Sequence, residues 1–111
     1  MIEADRTQIH RLFTNLIKNA IEAYESNEKV RIVVRQFKND NEAIVSVEDK
    51  GIGIPEVMQP KIFAPNFTTK SSGTGLGLAI CKGIVEKANG NIWFETKEDV
   101  GSKFFVSFPL V

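Results

Sequence analysis

The sequence holds a single cysteine, Cys81, a single histidine, His10, and no excess of either charge. One thiol excludes an intramolecular disulfide and fits a reducing cytosol, where such a residue is read as a small packed side chain. Fourteen basic residues balance fourteen acidic ones. That balance argues against a dedicated nucleic-acid or acidic-membrane surface, which carries a basic excess, while leaving room for a local cation at a phosphate site. No apolar run approaches the roughly 18 residues of a membrane span, and the N-terminus is not a signal peptide. Repeats, linkers and low-complexity stretches are also missing. A chain of 111 residues is expected to form one domain around one core. Because Met1 leads straight into a helix-start pattern, the chain reads as a domain cut from something longer.

What is present begins with a helical period. Ile9, Leu12, Phe13, Leu16, Ile17, Ala20, Ile21 and Tyr24 recur at helical spacing, with Asp5 or Thr7 as cap and "ESNEK" as the stop. "KVRIVVRQF" and "EAIVSVED" predict two strands joined by the turn "KNDN". Gly51 to Thr74 shows no sustained period and reads as a long loop with one helical turn near "EVMQPKIF". Loops that long in compact domains are usually functional. A second helix is expected from about Gly75 to Asn89, burying Leu76, Ile80, Ile84 and Ala88, with Gly90 as the residue after its C-cap. "NIWFETK" and "SKFFVSFPL" then predict two closing strands around "EDVG". This order predicts an α+β two-layer sandwich, helices on one face of a mixed, mostly antiparallel sheet.

Three segments carry polar chemistry where packing alone does not ask for it. Asn15 and Asn19 are i, i+4 neighbours beside the apolar stripe of the first helix. Asparagine is a poor helix former, so the pair is either exposed amides or a polar edge whose oxygens suit a hard cation such as Mg²⁺. Asp49 closes a strand in phase with Val45 and Val47, so an inward valine face carries the carboxylate inward too. Such a carboxylate needs donors, and the exocyclic amine of a purine supplies one. Gly51 and Gly53 let the backbone turn and lie close to a flat ring, although an ordinary strand-to-loop turn explains Asp-x-Gly-x-Gly about as well. Finally, Gly73, Gly75 and Gly77 stand at a helix start, where free N–H groups and the helix dipole attract an anion. Thr68, Thr69, Lys70, Ser71 and Ser72 add hydroxyls and a cation. The segment is not a Walker A loop, since no Gly-Lys-Ser/Thr follows its last glycine, nor a Rossmann fingerprint, since no strand feeds it directly.

Taken in order, these segments resemble the ATP-binding domain of sensor histidine kinases, within the superfamily of gyrase, the heat-shock chaperone and the mismatch-repair ATPases. "NLIKNA" resembles the N box, "DKGIGIP" the first glycine box, "IFAPNFTTK" the F box and "GTGLGLAI" the second glycine box, while "GSKFFVSFP" is similar to the closing strand. The resemblance implies the Bergerat-type fold, with ATP and Mg²⁺ as cofactors. It gives Asn19 to Mg²⁺ with Asn15 beside it, and Asp49 to the adenine amine. Gly51, Gly53 and Ile54 shape the base pocket, and Phe63 and Phe67 anchor a lid. Thr68, Thr69, Lys70, Gly73, Thr74, Gly75, Leu76 and Gly77 surround the phosphates. Asn15, Asn19 and Lys70 are the residues assigned to catalysis.

Hydrolysing members of the superfamily carry a glutamate base one helical turn before the Mg²⁺ asparagine. Here that position is Asn15, whose amide accepts no proton at neutral pH, so the resemblance implies that ATP is held for transfer. Two positions depart from the pattern: Lys50 replaces a small polar residue and Asn66 an aromatic of the F box. His10 precedes Arg11 rather than an acidic residue, so the phosphoacceptor is expected on a separate dimerisation hairpin, with a response regulator downstream. The isolated domain is therefore expected to bind ATP or ADP as a cytoplasmic monomer unable to phosphorylate itself, without nucleic acid or direct membrane contact, though its parent can be anchored in the inner membrane. A serine kinase of the anti-sigma factor type and a non-catalytic nucleotide-binding regulator are the alternatives.

Overall fold

The computed structural model describes residues 5–22, 24, 29–64 and 77–110. Helix α1 (Arg6–Glu22) begins where Asp5 Oδ1 accepts the N–H groups of Thr7 and Gln8 at 2.8 and 3.2 Å. Asp5, not Thr7, therefore satisfies the free donors of the first turn. Leu12, Leu16 and Ala20 bury the inward face of α1, with Ile9 and Phe13 packed beside them. Ile17 and Ile21 were expected in that stripe but are 37% and 48% exposed. The apolar stripe is wider than the face that the rest of the fold covers. Tyr24 lies beyond the end of α1 and is buried.

Strands β1 (Ile32–Lys38) and β2 (Glu42–Asp49) form an antiparallel hairpin. Its turn is held by Asn39, whose Oδ1 accepts the Asn41 and Glu42 N–H groups at 2.9 and 2.7 Å, the local side-chain bond that favours asparagine in turns. A 3₁₀ helix, Glu56–Lys61, supplies the helical turn expected in the long loop, and Pro60 lies inside it. Helix α2 (Gly77–Lys87) buries Cys81, Ile84 and Val85. Burial raises the Cys81 thiol to about 12, as befits a packed residue.

The end of α2 differs from expectation by one residue. Asn89, at φ 60°, takes the left-handed position; its N–H donates to Glu86 O and the Gly90 N–H to Val85 O. This is the paired closure of a Schellman motif. Gly90 follows because a Cβ there would overlap the Ser107 carbonyl oxygen.

Strands β3 (Asn91–Lys97) and β4 (Gly101–Pro109) complete a four-stranded sheet in the order β1-β2-β4-β3. Every described pair is antiparallel, so among the described residues no parallel strand enters. Cross-strand register puts Val45, Val106 and Ile92 in one row and Val47, Phe104 and Phe94 in the next. These rows face the helices and form the core with Leu12, Leu16, Ile62, Cys81 and Val85. Each fully buried aliphatic side chain contributes about 1.5–3 kcal/mol. The opposite face carries Val33, Phe37 and the stacked pair Trp93–Phe105, whose ring centroids are 5.2 Å apart. The architecture is an α+β sandwich of two layers. Among the described residues no helix is long and apolar enough to cross a membrane.

Candidate functional site

The next row along the sheet, Asp49, Ser102 and Thr96, continues the inward face past the apolar core. Strand alternation fixes this, since Asp49 follows Val45 and Val47 at a period of two. Asp49 is 2% exposed, and its Oδ1 accepts the Gly51 N–H at 2.9 Å. Burial raises its pKa, and the neighbouring Glu48 charge adds to the rise; backbone N–H groups of Gly51 and Ser102 pull it back down. The result is a carboxylate held at a strand end by its own turn, with acceptor capacity left over.

Tyr24 explains how that end is held. Its hydroxyl donates to the Arg31 carbonyl and accepts the Lys50 N–H at 2.7 Å. One side chain beyond the end of α1 thus ties the entry to β1 to the exit from β2. Lys50 itself points outward, its Nζ 3.2 Å from Glu48 Oε2, and this pairing lowers the Glu48 pKa.

The turn after Asp49 is packed against the other hairpin. Gly53 has φ 71°, and a Cβ there would overlap the Lys97 carbonyl oxygen. Its glycine is required by the approach of β3 and by its left-handed conformation. Gly101, at φ 145°, lies equally close to the Asp49 carbonyl. Ile54 then donates its N–H to Thr96 Oγ1 at 3.0 Å, and Gln59 Nε2 donates to the Ile54 carbonyl at 3.1 Å.

Following the 3₁₀ helix, Ile62 is buried and Phe63 sits edge-on to Phe94 and Phe104, at centroid distances of 6.0 and 6.4 Å. Lys82 of α2 lies over the Phe63 ring at 5.9 Å. Phe63 therefore joins the loop, the sheet and α2. On the helix layer, Asn15 and Asn19 are both half-buried. They flank Leu16 and Ala20, which enter the core with Val47, so both residues lie at the edge of the buried face of α1. Gly77 opens α2.

The structure thus brings Asp49, Gly51, Gly53 and Ile54 together at one corner, with Phe63 anchoring the segment that leaves it. Phe67, Thr68, Thr69, Lys70, Gly73, Thr74, Gly75 and Leu76 lie outside the described residues, as do Ser71, Ser72 and Asn66. Three contributors were not foreseen: Tyr24, Thr96 and Ser102. The alternation of "IWFETK" places Thr96 on the inward face, but its contacts depend on cross-strand register that no local pattern shows. A cavity of about 280 Å³ opens at the same corner, lined by Asp49, Thr96, Gly101 and Ser102 and by charged residues including Glu48, Glu95 and Lys103. Those three lie in one row on the sheet's opposite face.

Among the described residues no cluster of three or more His, Cys, Asp or Glu could hold a metal alone. The two half-buried amides still fit Mg²⁺, which takes few protein oxygens when substrate phosphates complete its shell.

A family model described as histidine kinase-, DNA gyrase B- and HSP90-like ATPase matches residues 4–111. The signal transduction histidine-protein kinase AtoS of Escherichia coli is 39% identical over 109 residues, 98% of this chain. Sporulation kinase A of Bacillus subtilis is 38% identical over 108 residues, 97% of this chain. The chain spans 18% of the length of each of these relatives. Among solved structures, a nucleotide-free catalytic domain of histidine kinase ThkA superposes with a TM-score of 0.83 at 44% identity, covering 97% of this chain and 70% of that one. The mycobacterial sensor histidine kinase MprB gives 0.85 at 26% identity, covering 97% and 76%.

Proposed function

This chain belongs to the histidine kinase-, DNA gyrase B- and HSP90-like ATPase family, and from that premise we propose that it is the ATP-binding catalytic domain of a sensor histidine kinase. Its task is to hold Mg-ATP while the γ-phosphoryl passes to a histidine on a separate dimerising hairpin. It works in the cytoplasm, and a response regulator accepts the phosphoryl group downstream. The single observation that carries this reading is Asp49, a buried carboxylate fixed by its own turn and left with acceptor capacity.

Each residue has a bounded role. Asp49 accepts the adenine amine, and Gly51 holds the carboxylate in place. Phe63 anchors the segment that closes over the nucleotide together with Phe67. Lys70 and the backbone from Gly73 to Gly77 hold the phosphates. Asn19, with Asn15 one turn away, offers amide oxygens to Mg²⁺, which when bound neutralises phosphate charge. Asn15 cannot serve as a base toward water, so hydrolysis is slow and the γ-phosphoryl is kept for transfer. In that transfer a neutral imidazole nitrogen of the acceptor forms the new N–P bond, the bond from the γ-phosphorus to the bridging oxygen breaks, and ADP leaves. His10 is exposed on α1 and takes no part. Catalysis is positioning and charge stabilisation.

Thermal unfolding of the chain with Mg²⁺ and ATP, ADP or GTP tests the reading. A ligand at 100 times its dissociation constant stabilises by about 2.7 kcal/mol, a rise on the order of 10 °C for a domain of this size. ATP and ADP are expected to give that shift and GTP to give none. No shift with any nucleotide at millimolar concentration would overturn the proposal.

A further inference from the structure

Thr96 makes three polar contacts with one hydroxyl, and together they fix the direction of every hydrogen bond around it. Its Oγ1 accepts the Ile54 N–H at 3.0 Å. It lies 3.1 Å from the Gly101 carbonyl oxygen, which can only accept. It also lies 2.8 Å from Ser102 Oγ, a pair in which either hydroxyl could be the donor. A hydroxyl has one hydrogen and two lone pairs. The Thr96 hydrogen is needed by Gly101, so the Ser102 hydroxyl must donate to Thr96. All three contacts are satisfied in this arrangement and in no other.

The consequence falls on the site. Ser102 stands opposite Asp49 in the sheet register, on the same inward face. With its hydrogen spent on Thr96, Ser102 presents lone pairs only. An ionised Asp49 likewise only accepts. The floor of the corner therefore holds two neighbouring acceptors and no hydroxyl donor, which suits an amino-bearing ring edge or a bridging water and repels a carbonyl. We propose that Thr96 is a positioning residue that sets the purine selectivity of this domain, by holding Ser102 as an acceptor beside Asp49 and by clamping the Gly51–Ile54 turn to β3. This inference rests on the reading of Asp49 as the base-binding carboxylate.

Titration calorimetry of the full 111-residue chain with ADP and with inosine diphosphate tests it, since the two ligands differ at the six-position, amine against carbonyl. The wild-type chain is expected to favour ADP by 100-fold or more. In Thr96→Val, which keeps the shape and removes the hydroxyl, the Ser102 hydrogen is freed to turn toward the ligand. The preference for ADP is expected to shrink by about tenfold, roughly one hydrogen bond's worth of discrimination. Thr96→Ser should restore it to within twofold of wild type. In a Ser102→Ala background the same Thr96→Val change should leave the preference unaltered, because the hydroxyl it acts through is gone. A merely structural Thr96 would weaken both ligands equally, and an unchanged ratio in Thr96→Val would overturn the proposal while leaving the Asp49 reading intact. Wild-type protein that binds ADP and inosine diphosphate equally would overturn both.

Discussion

The Tyr24 hydroxyl and the Lys50 backbone N–H, 26 residues apart in the chain, meet at 2.7 Å, and this bond seats the strand end that carries Asp49. The same hydroxyl donates to the Arg31 carbonyl, so one phenol satisfies two main-chain groups. Tyr24→Phe would leave both without their partner, at a cost of about 1–3 kcal/mol for each group that stays buried. The expected outcome is a melting temperature lower by about 4 °C or more, with weaker ADP binding because the Asp49 turn loosens. Calorimetry on the variant checks both. Unchanged stability would show that water replaces the phenol without loss.

Asp49→Asn separates binding from folding. The asparagine oxygen can still accept the Gly51 N–H, but its amine presents a donor to a donor. ADP affinity is expected to fall at least tenfold, in keeping with the 1.5–3 kcal/mol or so of a hydrogen bond to a charged group. An affinity within twofold of wild type would remove Asp49 from the base pocket. Stability should move the other way. Burial raises the Asp49 pKa above its ordinary 3.8, so the folded state binds the proton more tightly than the unfolded chain. Stability from this group is present below pH 3.8 and is lost as the pH climbs through the raised value. At pH 7 the ligand-free asparagine variant should therefore melt no lower than wild type.

The same shift sets a pH dependence of binding. An ionised Asp49 is the better acceptor for an amine, and its raised pKa means that protonation begins above the range of an ordinary carboxylate. ADP affinity measured at descending pH should weaken before free aspartate would titrate, and Asp49→Asn should lack that step. A wild-type profile flat down to pH 4 would contradict the assignment.

Asn19→Ala tests the metal edge. Loss of one amide oxygen should weaken Mg-ATP binding by about tenfold, or ~1.4 kcal/mol, while leaving ADP binding in a chelator nearly unchanged. Titrations with and without Mg²⁺ distinguish the two. Equal losses in both would mean that Asn19 supports the pocket sterically.

Two glycines make a matched pair. Gly53→Ala places a Cβ in the left-handed region, about 1–2 kcal/mol, and against the Lys97 backbone. Melting should fall by 5 °C or more, and nucleotide binding should weaken with the displaced turn. Gly83→Ala, in α2 with nothing within 4 Å of the added carbon, should raise stability by about 0.5–1 kcal/mol. Circular dichroism melts of both variants check the contrast.

Periodicity and turn chemistry are properties of neighbouring residues, and these the sequence determined by itself. The strands "EAIVSVED" and "NIWFETK" occupy the predicted residues, and the valines before Asp49 carried its carboxylate inward as their alternation required. The asparagines of α1 lie at the polar margin beside the stripe for the same reason. Tertiary structure decided what depends on distance. Whether Ile17 and Ile21 are covered depends on how much of α1 the sheet and α2 reach. Tyr24 is buried because its hydroxyl has two main-chain partners, Arg31 and Lys50. Gly53 is a glycine because of Lys97, and Thr96 meets Ile54 across 42 residues. Local sequence sets which way a side chain faces; the register of strands far apart in the chain sets what it then touches.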